Sequence, residues 1–259
     1  MSIKGFEMYD IELSENEKTI VNFITREKEI SVSQACKILN ISAATVRKMF
    51  TLLEAKGFIE RNHGGATLAF KPEITLRQTL HTAEKNRIAE MAASLINDNE
   101  TIMMNASSTS ALIIKYLNRV SNVNIITNTT LFSSYAKSVP NVNIILLGGL
   151  LRGNTDAIIG PTAVQQLDTY FAKYAFIGTA GFSVNNGITA HMYDEAEIPL
   201  KMIERAEKSI LLTDSSKWDK CSLIKMMELD EMDIIITDTK LSESAQRDIR
   251  AKDIELITV

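Results

Sequence analysis

The chain has 259 residues, 45% of them hydrophobic and 23% charged, with a formal net charge of −4. That length holds a small domain plus a larger one with a full core, and the composition is that of a globular protein rather than a disordered or fibrous one. An acidic chain is also not a nonspecific nucleic-acid binder. No apolar run reaches the roughly 18 residues of a membrane span, and the N-terminus has no charged-then-apolar leader, so a soluble cytoplasmic protein without a membrane partner is expected. Cys36 and Cys221 stand far apart and outside any metal-like spacing, as expected of reduced thiols. His63, His81 and His191 form no HxxxH or HExxH pattern, so neither a metal nor a cofactor is expected.

The first predicted helix follows a cap at Ser14 with Glu17 three residues on, and carries the stripe Ile20, Phe23, Ile24. A second starts at Ser31, with Gln34 completing a capping box, and is expected to bury Ala35, Ile38 and Leu39. After a turn at Asn40-Ile41, Ser42 caps a third helix whose Val46, Met49, Phe50 and Leu53 fall at i, i+3, i+4, i+7 and pack inward. Its other face presents Ala44, Arg47, Lys48 and Thr51, small at the start and then basic, which suits close approach to bases and phosphates. Gly57 closes the helix, and Phe58–Arg61 can pair with Ala66–Leu68 across Asn62-His63-Gly64-Gly65 as a wing. This layout places a helix in a DNA major groove, with Ser42, Ala44, Thr45, Arg47, Lys48, Thr51, Arg61 and His63 as candidate contacts. Residues 31–71 carry a local charge of +4 and residues 72–259 one of −5, so the positive field is confined to the reading head.

Residues 1–69 are thus read as a winged helix-turn-helix domain, 70–80 as a linker in which Pro72 stops the wing, and 81–259 as an effector-sensing α/β domain. Helices are expected around 83–96, 108–117, 131–138, 161–170, 195–206 and 243–250. Strands are expected at 101–104, 123–127, 142–147, 174–179, 210–213, 234–237 and the C-terminus. These strands are nearly continuous Ile/Val/Leu runs, as in a Rossmann-like parallel sheet covered on both faces, where ligands sit at the carboxyl ends.

The loops at those ends are polar. Asn105 precedes Ser107, Ser108, Thr109 and Ser110, a hydroxyl cluster opening a helix and a reasonable cradle for a phosphate. Asn128, Gly149, Gly178, Asp214 and Lys217 occupy the other loops. An ammonium at Lys217 can neutralise a phosphate and a carboxylate at Asp214 can accept from sugar hydroxyls.

These segments resemble the DeoR-type bacterial transcriptional regulators over nearly the whole chain after residue 14. That family's head carries T-[IV]-R-R-D-[LF] and HGGA patterns, matched here by Thr45–Phe50 (TVRKMF) and His63–Ala66. Its sensor carries TNS, LLGG-x-[LV]-R, G-x-x-G, G-[LI]-T-T and D-x-S-K, matched by Thr127–Thr129, Leu146–Arg152, Gly178–Gly181, Gly187–Ala190 and Asp214–Lys217. The resemblance implies a sensor fold similar to sugar-phosphate isomerases, a sugar-phosphate effector and an operator of double-stranded DNA, and it adds Arg77, Lys85 and Lys201 as basic effector residues. A homodimer or higher homo-oligomer is expected if the operator is two-fold symmetric. Three departures stand out: Asn105 where the family commonly has an acid, Met49 for the acid closing the R-R-D run, and Ala190 for a threonine.

Two functions from different classes follow. One is a repressor of a carbohydrate operon controlled by a phosphorylated sugar, with no catalytic residue. The alternative is a sugar-phosphate isomerase or deaminase bearing a DNA-binding head. It needs a carboxylate base that Asn105 cannot supply, which leaves Asp194 or Glu195.

Overall fold

The structure, a computed structural model, describes residues 13–55, 58–68, 80–132, 139–152 and 155–259. The chain divides into two compact units, 1–82 and 83–259.

In the first unit, α1 (Glu15–Glu27) and α2 (Val32–Leu39) each begin with a complete capping box, Ser14 with Glu17 and Ser31 with Gln34. Asn40 ends α2 at φ 52°, a left-handed conformation asparagine tolerates. The Ser42 hydroxyl then caps α3 (Ala43–Ala55) by accepting the Thr45 N–H at 3.2 Å. Val46, Met49, Phe50 and Leu53 are buried with Ile20, Ile24 and Ala35, the core the spacing predicts. Ile38 departs from expectation and is exposed. The buried stripe of α2 runs through Val32, Ala35, Cys36 and Leu39, and Ile38 stands well off that line.

Three short antiparallel strands complete this unit: β1 (Glu29–Ser31), β2 (Ile59–Asn62) and β3 (Gly65–Leu68), in the order β1-β3-β2. The sequence foresaw the β2–β3 wing, whose register pairs Asn62 with Gly65 and leaves His63-Gly64 as a two-residue loop. It did not foresee β1, a three-residue strand that exists only by pairing with β3. Gly64 is needed for its φ of +92°, whereas Gly65 is needed for space: a Cβ there would lie 2.4 Å from the Ile30 carbonyl oxygen. The expected helix end at Gly57 lies outside the described residues.

The second unit is built on a seven-stranded, wholly parallel sheet. Its strands are β4 (Thr101–Met104), β5 (Val123–Thr127), β6 (Val142–Leu146), β9 (Ala172–Gly178), β12 (Ala206–Leu212), β14 (Ile234–Thr237) and β15 (Glu255–Thr258), ordered β15-β14-β12-β9-β4-β5-β6. A ribbon, β7 (Leu150–Arg152) with β8 (Ala157–Ile159), and a small antiparallel sheet, β10 (Gly181–Ser183), β11 (Gly187–Ala190) and β13 (Ile224–Met227), sit outside it. Strand alternation divides the core. Ile102 and Met104 face α4 (Thr82–Ser94) and the 3-10 helix Ser110–Arg119, while Met103 faces α5 (Pro161–Leu167) and α6 (Glu197–Glu204). Leu211 and Ile235 pack on α7 (Glu243–Arg250) and the small sheet.

Three expectations need correction. Residues 110–119 form a 3-10 rather than an α-helix. Ala206 begins β12 instead of ending a helix, because it pairs with Ala172 of β9. The ribbon and small sheet were not foreseen as strands. Of the helix expected at 131–138, only the single turn Thr130–Phe132 and the residues up to it are described.

Gly65→Ala is expected to lower the stability of the head by about 1–3 kcal/mol, since the added methyl meets β1 backbone that cannot move without breaking its pairing with β3. Urea unfolding of the variant against the parent measures this.

Candidate nucleic-acid interface and effector crevice

Ser42, Ala44, Thr45, Arg47, Lys48, Thr51, Arg61 and His63 are all exposed, the first six on α3 or its cap and the last two on the wing. They are not equivalent. Ser42 and Thr45 hydroxyls hydrogen-bond each other at 2.9 Å as part of the cap. The Arg61 guanidinium donates to Thr51 Oγ1 at 2.8 Å, and its backbone N–H donates to Glu54 Oε1 at 2.9 Å. Its Nη1 also lies 3.8 Å from Glu54 Oε2. Thr51 and Arg61, each expected to face DNA, therefore engage one another across the α3–β2 contact, with Glu54 countering the charge. No fixed acid stands on the α3 face of Arg47 and Lys48 among the described contacts, so this is where the head offers its net positive charge.

In the second unit, β4 leads on to β5 on one side while its other neighbour, β9, leads on to β12 away from it. Their carboxyl ends are thus the topological switch point, where such sheets open a crevice. Asn105 bridges it: its Oδ1 accepts the Gly178 N–H at 2.9 Å and its Nδ2 donates to the Gly178 carbonyl at 3.2 Å. A Cβ on Gly178 would fall 2.1 Å from Ser107 Oγ, so the loop after β4 reaches β9 only because residue 178 is glycine. From the far side Lys217 donates its ammonium to the Thr179 carbonyl at 2.5 Å. The structure therefore brings Asn105, Ser107, Gly178 and Lys217 together, with half-buried Ser108 beside them.

The other expected effector residues separate. Thr109 and Ser110 are fully buried, and the Ser110 hydroxyl donates to the Asn105 carbonyl at 2.8 Å, so neither faces a crevice. The Ser107 hydroxyl accepts the Thr109 and Ser110 N–H groups at 3.2 and 3.4 Å, occupying part of the helix-start cradle itself. Asn128 is also taken up by backbone, accepting the Ala106 N–H at 2.8 Å and donating to the Ile158 carbonyl at 2.9 Å. Gly149 packs against Ile158, Ile159 and Ala163. Asp214 is buried and caps the turn Ser215–Lys217 through the Ser216 N–H at 3.2 Å. Lys201 sits at the opposite end: it pairs with Asp168 at 2.6 Å and Glu204 at 2.9 Å, where α5 and α6 return to the amino ends of β9 and β12. Its hydrogen bond to Asp168, then that to Glu204, raises its pKa above the ordinary lysine value. Lys85 is buried on α4, whose first turn is brought to the carboxyl ends of the strands by the Glu84–Lys240 ion pair. That contact, led by the hydrogen bond to Glu84, raises the Lys240 pKa. Arg77 lies outside the described residues.

Several contributors were missed. Arg152 makes two 3.0 Å contacts to the two carboxylate oxygens of Asp194 and lies 3.9 Å from Glu195. The candidate bases of an enzymatic reading are thus held by a guanidinium. Asp238, fully buried, accepts the Ser215 N–H at 2.7 Å and the Ser215 hydroxyl at 2.9 Å, fixing the turn that carries Lys217. The sequence did hold a signal for it, since β12 and β14 are both followed by Thr-Asp at 213–214 and 237–238 (Thr237 being the last residue of its strand). Among the described residues no cluster of His, Cys, Asp and Glu could hold a metal ion, and no helix is long and apolar enough to cross a membrane.

Asn105→Asp keeps the acceptor but removes the donor, leaving the buried Gly178 carbonyl facing a carboxylate. A loss of about 1–3 kcal/mol in unfolding free energy at neutral pH is expected, shrinking in acid, where a protonated carboxyl can donate again. Denaturant titrations at the two pH values measure it.

Residues 17–71 match the family model described as a DeoR-like helix-turn-helix domain, and residues 80–239 match the DeoR C terminal sensor domain. An uncharacterized HTH-type transcriptional regulator of Haemophilus influenzae is 32% identical over 252 residues, covering 95% of this chain and 97% of its own. The HTH-type transcriptional repressor GlcR of Bacillus subtilis is 32% identical over 228 residues, 85% of this chain and 86% of its own. Among solved structures, the full-length sorbitol operon regulator SorC of Klebsiella pneumoniae aligns with a TM-score of 0.45 at 11% identity, over 91% of this chain and 100% of that one. With both halves matched in order along one polypeptide, the chain belongs to the DeoR family of helix-turn-helix transcriptional regulators.

Proposed function

We propose that this protein is a cytoplasmic repressor of a carbohydrate operon, released or engaged by a phosphorylated sugar. The head, residues 1–69, reads double-stranded operator DNA, and residues 70–80 link it to the sensor of residues 81–259. The observation that carries the DNA half is the split of α3 into a buried stripe, Val46, Met49, Phe50 and Leu53, and an exposed face with Ala44, Arg47 and Lys48. Ser42, Thr45 and His63 are placed at its margins. Thr51 and Arg61 are assigned a supporting role, because they hold each other and Glu54.

For the sensor, the effector's phosphate is assigned to Ser107, Ser108 and Lys217 around Gly178, with Lys85 and Arg77 as further positive charge. Asn105, Asn128, Gly149, Thr109, Ser110 and Asp214 are assigned to shaping the crevice. Lys201 is left out, being ion-paired at the other end of the sheet. No catalytic role is proposed: Asp194 and Glu195 are engaged by Arg152, which speaks against a poised base there.

Arg47→Ala is expected to weaken operator binding by about 1–3 kcal/mol with an unchanged melting temperature. An unaltered gel shift would remove Arg47 from the interface.

Lys217→Ala should bind operator as the parent does yet lose its response to sugar phosphate. The single tryptophan, Trp218, adjoins Lys217 and packs edge-on against Phe182 with ring centroids 5.2 Å apart, so its emission reports occupancy directly. Full retention of the fluorescence titration by the variant would refute the assignment.

A further inference from the structure

The wing carries a cation that the head itself holds back. Arg61 stands exposed on β2, where a free guanidinium would add to the positive charge of Arg47 and Lys48. Two side chains of α3 meet it instead. The Glu54 carboxylate is anchored independently of the guanidinium, because its Oε1 accepts the Arg61 backbone N–H at 2.9 Å. Its Oε2 then lies 3.8 Å from Arg61 Nη1. Thr51, one helical turn earlier on the same face, completes the seat. Its hydroxyl proton is committed to the Arg47 carbonyl at 3.0 Å, so its oxygen is left to accept from Arg61 Nη1 at 2.8 Å. The Arg61 and Glu54 side chains are 42% and 44% exposed, and a pair so open to water adds little to stability. Its consequence lies in where the guanidinium is kept.

We propose that Glu54 is a positioning residue for DNA binding, which keeps Arg61 on the seam between α3 and β2 and so restrains the head's affinity for DNA of any sequence. A guanidinium on a phosphate serves every sequence alike, since it releases counterions from the backbone and reads no base. Withholding one such contact lowers the sequence-independent part of binding. The face of α3 with Ala44 and Arg47 then has the larger share in deciding where the head settles. Charge composition fits this use. Residues 31–71 hold six basic and two acidic residues, and one of those two acids is placed against the wing arginine rather than left in water. The inference rests on the DNA-binding reading of the head.

The test is binding of the full chain to a fluorescent duplex of random sequence, about 30 base pairs long, measured by anisotropy between about 50 and 200 mM salt. Glu54→Gln keeps an acceptor for the Arg61 N–H and loses the charge. It should bind the duplex about two- to fivefold more tightly, the factor by which an exposed pair holds its guanidinium. The slope of log affinity against log salt should steepen by about 0.5–1 unit as Arg61 gains a phosphate. In an Arg61→Ala background the same substitution should leave the slope unchanged and tighten binding by less than half as much. Arg61→Ala alone should stay within about 0.3 unit of the parent's slope, because a withheld guanidinium makes no phosphate contact. Melting temperatures check folding; a purely structural role would move these without steepening the slope. If Glu54→Gln does not fold, Thr51→Val, which removes the other acceptor, decides in its place and should act in the same direction. An unchanged slope in the deciding variant, equal tightening with and without Arg61, or a slope flattened by about 0.5 unit or more in Arg61→Ala overturns the proposal and leaves the parent's DNA binding standing. A parent that binds no duplex at the lowest salt overturns the DNA reading, and the proposal with it.

Discussion

The sensor is organised around one side chain. Where β4 and β9 part at the switch point, Asn105 makes two hydrogen bonds to the same residue, accepting from the Gly178 N–H and donating to its carbonyl. A carboxamide offers both groups in that geometry at every pH, whereas an ionised carboxylate can serve only the N–H. With the two strand ends tied, the loop after β4 lies directly on Gly178, and Lys217 reaches across to Thr179. These contacts fix the loops at the switch point relative to one another without a ligand.

Asn128 extends this framework sideways. One amide accepts from the Ala106 N–H in the crevice loop and donates to the Ile158 carbonyl of β8, and the Ile158 N–H returns to the Asn128 carbonyl at 2.7 Å. The ribbon that carries Leu150 and Leu151 is thus bonded to the loop on which an effector phosphate would rest. A ligand that displaces the loop must either strain those bonds or move the ribbon with it.

In the head, charge placement follows a similar division. Glu54 sits against Arg61 and Thr51 accepts from it, so the wing is fastened to the helix it accompanies. The fastening costs part of the wing's free charge but fixes its angle to α3. Arg47 and Lys48 keep theirs. An exposed, partly screened pair such as Arg61–Glu54 contributes little to stability, so its value lies in orientation.

The sequence by itself determined where the three helices of the head begin, because capping and periodicity are local: Ser14, Ser31 and Ser42 each bond to a backbone group within three residues. It also determined the parallel sheet, since strands buried on both faces must be apolar throughout, and the position of Lys217 at a strand's carboxyl end. What it could not determine were features made by residues far apart in the chain. β1 is too short to carry a pattern and exists through pairing with β3, and the three-residue strands β7 and β8 likewise exist through pairing with each other. Polar loop residues looked alike in sequence, all of them plausible ligand contacts. Only the tertiary structure sorted them, because a side-chain amide or hydroxyl binds ligand or backbone according to what stands within 3 Å of it. For Asn105 and Asn128 that is the backbone of residues 73 and 30 positions away, and for Lys201 an aspartate at the wrong end of the sheet.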